Sequence, residues 1–184
     1  MIVRLFQPRD AQALWDVFYS AIHQTAAADY TAEQLNAWAP IIPDPAQWAL
    51  RMEGINPFVC EIDGRIVGYA DLQPTGYIDH FFVSATAGQQ GVGSALMCRI
   101  HERASEQRVR RLFSDVSLAA RRFFEKFGFE ALAAQTVCVR GVALSNFRMT
   151  KQMITPLPAC RAKAAGQAGI RDGGIEASAA SALV

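Results

Sequence analysis

From Tyr77 to Ser94 the chain runs Tyr77-Ile78-Asp79-His80-Phe81-Phe82-Val83, then a loop from Ser84 to Gln90, then Gly91-Val92-Gly93-Ser94. No other stretch narrows the choice of folds as much. A run that is apolar on nearly every residue predicts a strand covered on both faces, and hence a central one. Downstream, Val92, Leu96, Ile100 and Ala104 share one stripe and predict a helix from Gly91 to about Gln107. A buried strand passing straight into a glycine-flanked helix start belongs to a mixed α/β domain. Two glycines at that point let backbone N–H groups approach an anion closely, and the helix dipole adds a favourable field. The dinucleotide fingerprint fails, because Leu96 takes the third glycine position, and a P-loop fails because no Gly-Lys-Ser/Thr follows. Read alone, the Gly-x-Gly pair fits a tight helix start as well as an anion site.

The flanking segments supply the remaining elements. Ile2 to Phe6 reads as a strand that Pro8 ends, and Leu14, Val17, Phe18, Ala21 and Ile22 take helical spacing behind Arg9-Asp10. Thr31 is placed to cap a helix from Ala32 to Ala39, which Pro40 stops. Pro43-Asp44-Pro45 opens another helical piece through Trp48 and Met52. Phe58 to Ile62 and Arg65 to Ala70 flank Asp63-Gly64, the signature of a hairpin with a type I′ turn. Arg111 to Val116 reads as a short strand, and Leu118 to Phe127 as a helix that Gly128 terminates. Phe129 to Val139 and Ala143 to Met153 form two closing antiparallel strands around Arg140-Gly141. The order is β-α-α-β-β-β-α-β-α-β-β, without an internal repeat.

Composition removes several classes of function. Lys plus Arg number 18 against 17 Asp plus Glu, which excludes a basic nucleic-acid footprint or a polybasic membrane anchor as the main role. Cys60, Cys98, Cys138 and Cys160 are scattered, with neither a Cys-x-x-Cys nor a close His partner, so no metal site is expected and isolated thiols fit a reducing compartment. No run of 18 apolar residues is present and Met1-Ile2-Val3-Arg4 opens a strand, so neither a membrane span nor a signal peptide is expected and the expected location is cytoplasmic. Residues 155–184 hold nine Ala and four Gly and no aromatic residue, too little apolar area to offset the entropy of ordering. The expected division is a functional domain over 1–154 and a dispensable Ala/Gly-rich tail over 155–184.

The element order, the Gly-x-Gly at the helix after the fourth strand, and Phe123-Phe124-Glu125-Lys126-Phe127-Gly128-Phe129 after the fifth together resemble the GNAT superfamily of acyl-CoA N-acyltransferases. The resemblance covers about Ile2 to Met153. The family pattern Gln/Arg-x-x-Gly-x-Gly/Ala aligns on Gly88-Gln89-Gln90-Gly91-Val92-Gly93, with Gly in place of the usual first Gln or Arg. Ala37-Trp38-Ala39, Tyr77-Ile78-Asp79 and Asn146-Phe147-Arg148-Met149 are similar to a small-molecule-type bacterial branch. The fold this implies is a mixed, mostly antiparallel sheet of about seven strands flanked by helices, splayed after the fourth strand.

The implied chemistry is direct transfer of acetyl from acetyl-CoA to a primary amine of a small molecule, such as a toxic compound or antibiotic, with no metal. A non-catalytic acyl-CoA sensor and a protein or peptide acetyltransferase are the alternatives. The expected partners are acetyl-CoA and the amine, with a homodimer among the expectations. Pantetheine would pair with backbone around Phe82, Val83 and Ser84. The pyrophosphate would sit on N–H groups from Gln89, Gln90, Gly91, Val92, Gly93 and Ser94, and the N–H at Val83 would polarise the thioester carbonyl.

Strand alternation places Tyr77, Asp79, Phe81 and Val83 on one face, with His80 on the other as a sheet histidine. Asp79 is therefore the candidate base, direct or through water; the alternative is an aspartate paired to a neighbouring arginine. The family's acid is a tyrosine where this chain has Phe124, and Ser117 stands where the family has Asn, so Tyr77, Ser117 or water would protonate the thiolate. His23, Tyr30, Glu33 and Trp38 are the candidate acceptor-pocket residues, and Arg121 is the candidate contact for the 3′-phosphate.

Overall fold

Residues 1–153 are described by the computed structural model. Ile2–Leu5 (β1) leads through a 3₁₀ turn at Pro8–Asp10 into α1 (Ala11–Ser20). Helix α1 then widens into a π-turn over Ala21–Thr25. Thr31 caps α2 (Ala32–Trp38) reciprocally with Gln34, and Asp44 caps α3 (Pro45–Ile55) by accepting from the Ala46 and Gln47 N–H groups. The hairpin is present as β2 (Phe58–Ile62) and β3 (Arg65–Ala70), with φ of 51° at Asp63 and 74° at Gly64, as a type I′ turn requires. Then follow β4 (Phe81–Val83), α4 (Val92–Glu106), β5 (Arg111–Ser117), α5 (Arg121–Lys126), β6 (Glu130–Val139) and β7 (Val142–Gln152). The tail expectation for 155–184 lies outside the described residues.

The strands make two antiparallel half-sheets, β1-β2-β3-β4 and β5-β7-β6. They meet at a single parallel bridge between Tyr77 and Phe113, where Ile78 N–H donates to Phe113 O and Phe113 N–H to Gly76 O. Gly76 makes this approach feasible: a Cβ on it would stand 2.1 Å from the Arg111 carbonyl oxygen. Beyond the bridge β4 and β5 diverge, giving the splay expected after the fourth strand. Apolar layers cover both faces of the split sheet. Leu14, Phe18, Met52, Tyr69, Phe82 and Leu144 pack on the α1–α3 side, and Phe58, Ile78, Leu96, Ile100, Val116 and Phe124 on the α4–α5 side. Among the described residues no helix is long and apolar enough to cross a membrane.

The run Tyr77 to Ser84, expected as one continuous strand, is broken. Only Phe81–Val83 is regular. The cause lies upstream, where the buried Asp71 carboxylate accepts the Asp79 and His80 N–H groups and so replaces a backbone partner. The alternation of side chains fails there. Asp79 and His80 both reach Arg51 on α3, Asp79 through Oδ2 at 2.8 Å and His80 through Nε2 at 2.9 Å.

This buried cluster titrates in two directions. Burial pushes the Asp71 carboxyl up to about 7, helped by the neighbouring Asp79 carboxylate. The folded chain thus keeps a proton on Asp71 that the unfolded chain releases near pH 4, and this residue's contribution to stability falls as pH rises from about 4 to 7. Burial and the Arg51 guanidinium hold the His80 imidazole well below its usual range, so its contribution is present above about pH 6.5 and lost on acidification. Asp71→Asn keeps an oxygen for the two amides and removes the titration. Its melting temperature relative to the parent protein should therefore rise by several °C between pH 5 and pH 8. A difference that does not change with pH would show that Asp71 titrates as an ordinary aspartate.

Candidate active site

The splay opens a cavity of about 570 Å³. One wall is β4, where Phe81, Phe82 and Val83 line it. The hydrogen bonds from Ser84 N–H to Val67 O and from Asp71 N–H to His80 O fix which β4 residues bond across to β3. By the alternation of an antiparallel ladder, the N–H groups of Phe81 and Val83 point the other way, into the gap. Two backbone donors thus face an opening that no strand fills.

The start of α4 forms the floor. Gly91, the residue before the helix, has φ of 81°, a left-handed conformation open to glycine without strain. It turns the chain so that the first-turn N–H groups, which have no partner inside the helix, line the cavity from Val92 to Ser94. Gly93 packs against α5, where a Cβ would stand 3.0 Å from the Phe123 ring. Lys126, one helical turn beyond Phe123, is the single charged residue among the described residues lining the cavity.

The first helices line the remaining wall. The π-turn bulges inward, so that Ala21, Ile22 and Thr25 reach the cavity together with Trp38 of α2. Trp38 packs edge-on against Phe82 and Tyr30. Three contacts hold this wall: His23 Nε2–H donates to Ala39 O, and Arg140 donates to Ala37 O and Trp38 O from the β6–β7 turn. Ser117, at the end of β5, closes the corner. Its Oγ accepts the Ala120 N–H at 3.3 Å, which leaves its own hydrogen to be donated elsewhere.

A glycine-turned helix start, inward-facing strand amides and an apolar wall from the first helices together suit an extended, anion-bearing ligand. An acetyltransferase (GNAT) domain model matches residues 26–151. The chain belongs to the GNAT family of acetyltransferases. Its sequence is 34% identical over 147 residues to the uncharacterized N-acetyltransferase YafP of Escherichia coli K12, covering 80% of this chain and 93% of that one. A GCN5-related N-acetyltransferase from Rhodopseudomonas palustris superposes with a TM-score of 0.79 at 32% identity, over 82% of this chain and 94% of that chain. The fold is also that of yncA of Salmonella typhimurium, a putative acetyltransferase solved with its cofactor acetyl-CoA (TM-score 0.62, 19% identity, 87% and 99% covered). This GNAT protein is an acetyl-CoA-dependent N-acetyltransferase.

Of the residues singled out in the sequence, the cavity of this acetyltransferase brings together Trp38, Phe82, Val83, Gln89, Gly91, Val92, Gly93, Ser94 and Ser117. The others stand outside its lining. Gln90 bonds to Thr86 O, and the Ser84 hydroxyl meets Ser20 and Thr86. Arg121 lies over the Phe147 ring at 4.3 Å and pairs with Glu125. Phe124 is wholly buried against Phe81 and Phe129, and its neighbour Phe123 takes the cavity wall. Tyr77 donates to Asp115 Oδ2 at 3.4 Å. Tyr30, with burial raising its hydroxyl to about 12, donates to Ser145 O and accepts from Leu118 N–H, tying the wall to β7. Glu33 is exposed.

Sequence reasoning passed over the Phe81 N–H, Phe123, Lys126 and the π-turn. For Lys126 a signal was available, since it lies three residues past Phe123 on the same helical face. The π-turn had none.

Proposed function

We propose that this N-acetyltransferase moves acetyl from acetyl-CoA to a primary amine of a small molecule, in the cytoplasm where acetyl-CoA is at hand. A toxic amine or antibiotic is the class of acceptor this reading favours. The observation that supports it is the apolar and aromatic wall that Ile22, Thr25 and Trp38 contribute to the cavity, a surface suited to a small acceptor.

In this reading the pyrophosphate rests on the N–H groups of Val92 to Ser94, and Lys126 adds charge at that end. Pantetheine runs along β4 and pairs with its inward amides. The Val83 N–H, with Phe81 as a second donor, takes the thioester oxygen as it becomes an oxyanion. The amine nitrogen attacks the carbonyl carbon, the C–S bond breaks, and the nitrogen's proton passes to the thiolate through the Ser117 hydroxyl or water. Asp79, the candidate base, takes a structural role here, because its carboxylate is buried on Arg51 behind β4.

The test is release of CoA thiol from acetyl-CoA with small amines against peptides bearing the same amine. Small amines should be used with kcat/KM at least tenfold higher. A preference for peptides would instead make the protein a peptide acetyltransferase, and acetyl-CoA binding without thiol release in either set would make it a sensor.

A further inference from the structure

Among the described residues, the part of the cavity lined by the first helices holds no group able to take a proton from an ammonium ion. Its walls are Ile22, Thr25, Trp38, Phe82 and Ser117, two hydroxyls among apolar and aromatic surface. Among the described residues, the titratable side chains singled out in the sequence stand outside the lining. Asp79 is on Arg51. His80 accepts from Arg51 at Nε2 and meets the Tyr69 hydroxyl at Nδ1, so both ring nitrogens are occupied. His23 is bonded to Ala39 O and stacked on Tyr19, and Tyr30 is bonded to Ser145 O. Asp115 accepts from Arg148, Gln135 and Tyr77. Glu33 points to solvent, and Lys126 lies at the opposite end beside Phe123.

We propose that the acceptor is a weakly basic amine carried on a flat aromatic body, which enters the cavity already neutral. The inference rests on the small-amine reading of the site and narrows it. An alkylamine is about 10⁻³ neutral at pH 7, and its ammonium form would have to shed water to enter an apolar end that offers no counter-charge. An aromatic amine is neutral throughout that range, and the exposed edges of Trp38 and Phe82, with Ile22, give its ring an apolar and aromatic wall to rest on. The proton balance then closes without a base. The lone pair of R–NH₂ forms the C–N bond, the C–S pair leaves with sulfur, and the one surplus proton on nitrogen goes to that sulfur by way of the Ser117 hydroxyl or water. The products are the N-acetyl amine and CoA thiol.

The experiment measures thiol release from acetyl-CoA by the full-length protein with two amines of similar shape, a ring-substituted aniline and the corresponding benzylamine, from pH 6 to 9. The aniline should have the larger kcat/KM at pH 7 by at least tenfold, with a flat profile. The benzylamine value should climb about tenfold per pH unit, tracking its own free-base fraction. Trp38→Phe should keep the aniline's KM within a few-fold, while Trp38→Ala, in protein shown folded by circular dichroism, should raise it at least tenfold. Benzylamine preferred, or benzylamine turned over with a flat profile through neutrality, would overturn the inference while leaving the small-amine reading intact. If neither amine releases thiol although calorimetry shows acetyl-CoA bound, and peptide amines do release it, the small-amine reading itself falls.

Discussion

Gly93→Asp should abolish measurable acetyl-CoA binding, a loss of about 10³ or more in affinity by calorimetry. Two effects act together. A Cβ at this position already stands 3.0 Å from Phe123 Cε2 and 3.1 Å from Cζ, so the ring has to move into the cavity or the helix start has to shift away from it. The carboxylate then points at the place where the α4 amides would hold a pyrophosphate, and juxtaposed like charges cost several kcal/mol. Gly91→Val is the companion variant and works through the backbone. Nothing lies within 4 Å of a Cβ there, but φ of 81° is costly for a β-branched residue. It should weaken binding by a smaller factor and lower stability. Affinity within tenfold of the parent protein for Gly93→Asp, with α4 intact by circular dichroism, would show that the cofactor's phosphates sit elsewhere.

The second large effect is expected at Asp79, and it is on stability. The residue is 2% exposed and its carboxylate is held by Arg51, whose side chain is 25% exposed. Removing one partner of a buried pair typically costs about 3–5 kcal/mol, and the partial exposure of Arg51 lowers the expectation below that range, to about 2–3 kcal/mol for Asp79→Ala. That is a fall of roughly 5–10 °C in melting temperature. Turnover per folded molecule should stay within a few-fold, measured well below the transition. A fall in kcat of about 10²–10⁴ in a fully folded Asp79→Asn protein, with a changed acidic limb of the pH profile, would restore Asp79 as the general base.

These two positions also mark how far the sequence can be read. Features governed by neighbours in the chain were legible: the Asp63-Gly64 turn, the Thr31 and Asp44 caps, the helix start at Gly91, and the splay that the family resemblance implied. Features governed by residues distant in the chain were not. Strand alternation assigned Asp79 and His80 to opposite faces, yet Asp71, eight residues upstream of Asp79, captures their amides and lets both side chains turn to Arg51. Alignment put Phe124 in the family tyrosine's place; Phe124 is buried there, and its neighbour Phe123 lines the cavity. Periodicity carried α1 as far as Ile22, but nothing in an Ala-rich stretch announces that a π-turn will push Ile22 and Thr25 into the cavity.

The single bridge between Tyr77 and Phe113 has a further consequence. Past it, β4 presents unpaired amides, the kind of edge that on a protein's exterior invites pairing with a foreign strand. Here the edge is turned inward, with apolar layers above and below and the first helices across its end. A second polypeptide would need a wider gap than a pantetheine arm does. Pantetheine is a thin chain with two amide groups and only two methyls and a hydroxyl as branches, so it suits the gap better. The same geometry that leaves hydrogen-bonding capacity unused for a cofactor also keeps that capacity from making the molecule sticky.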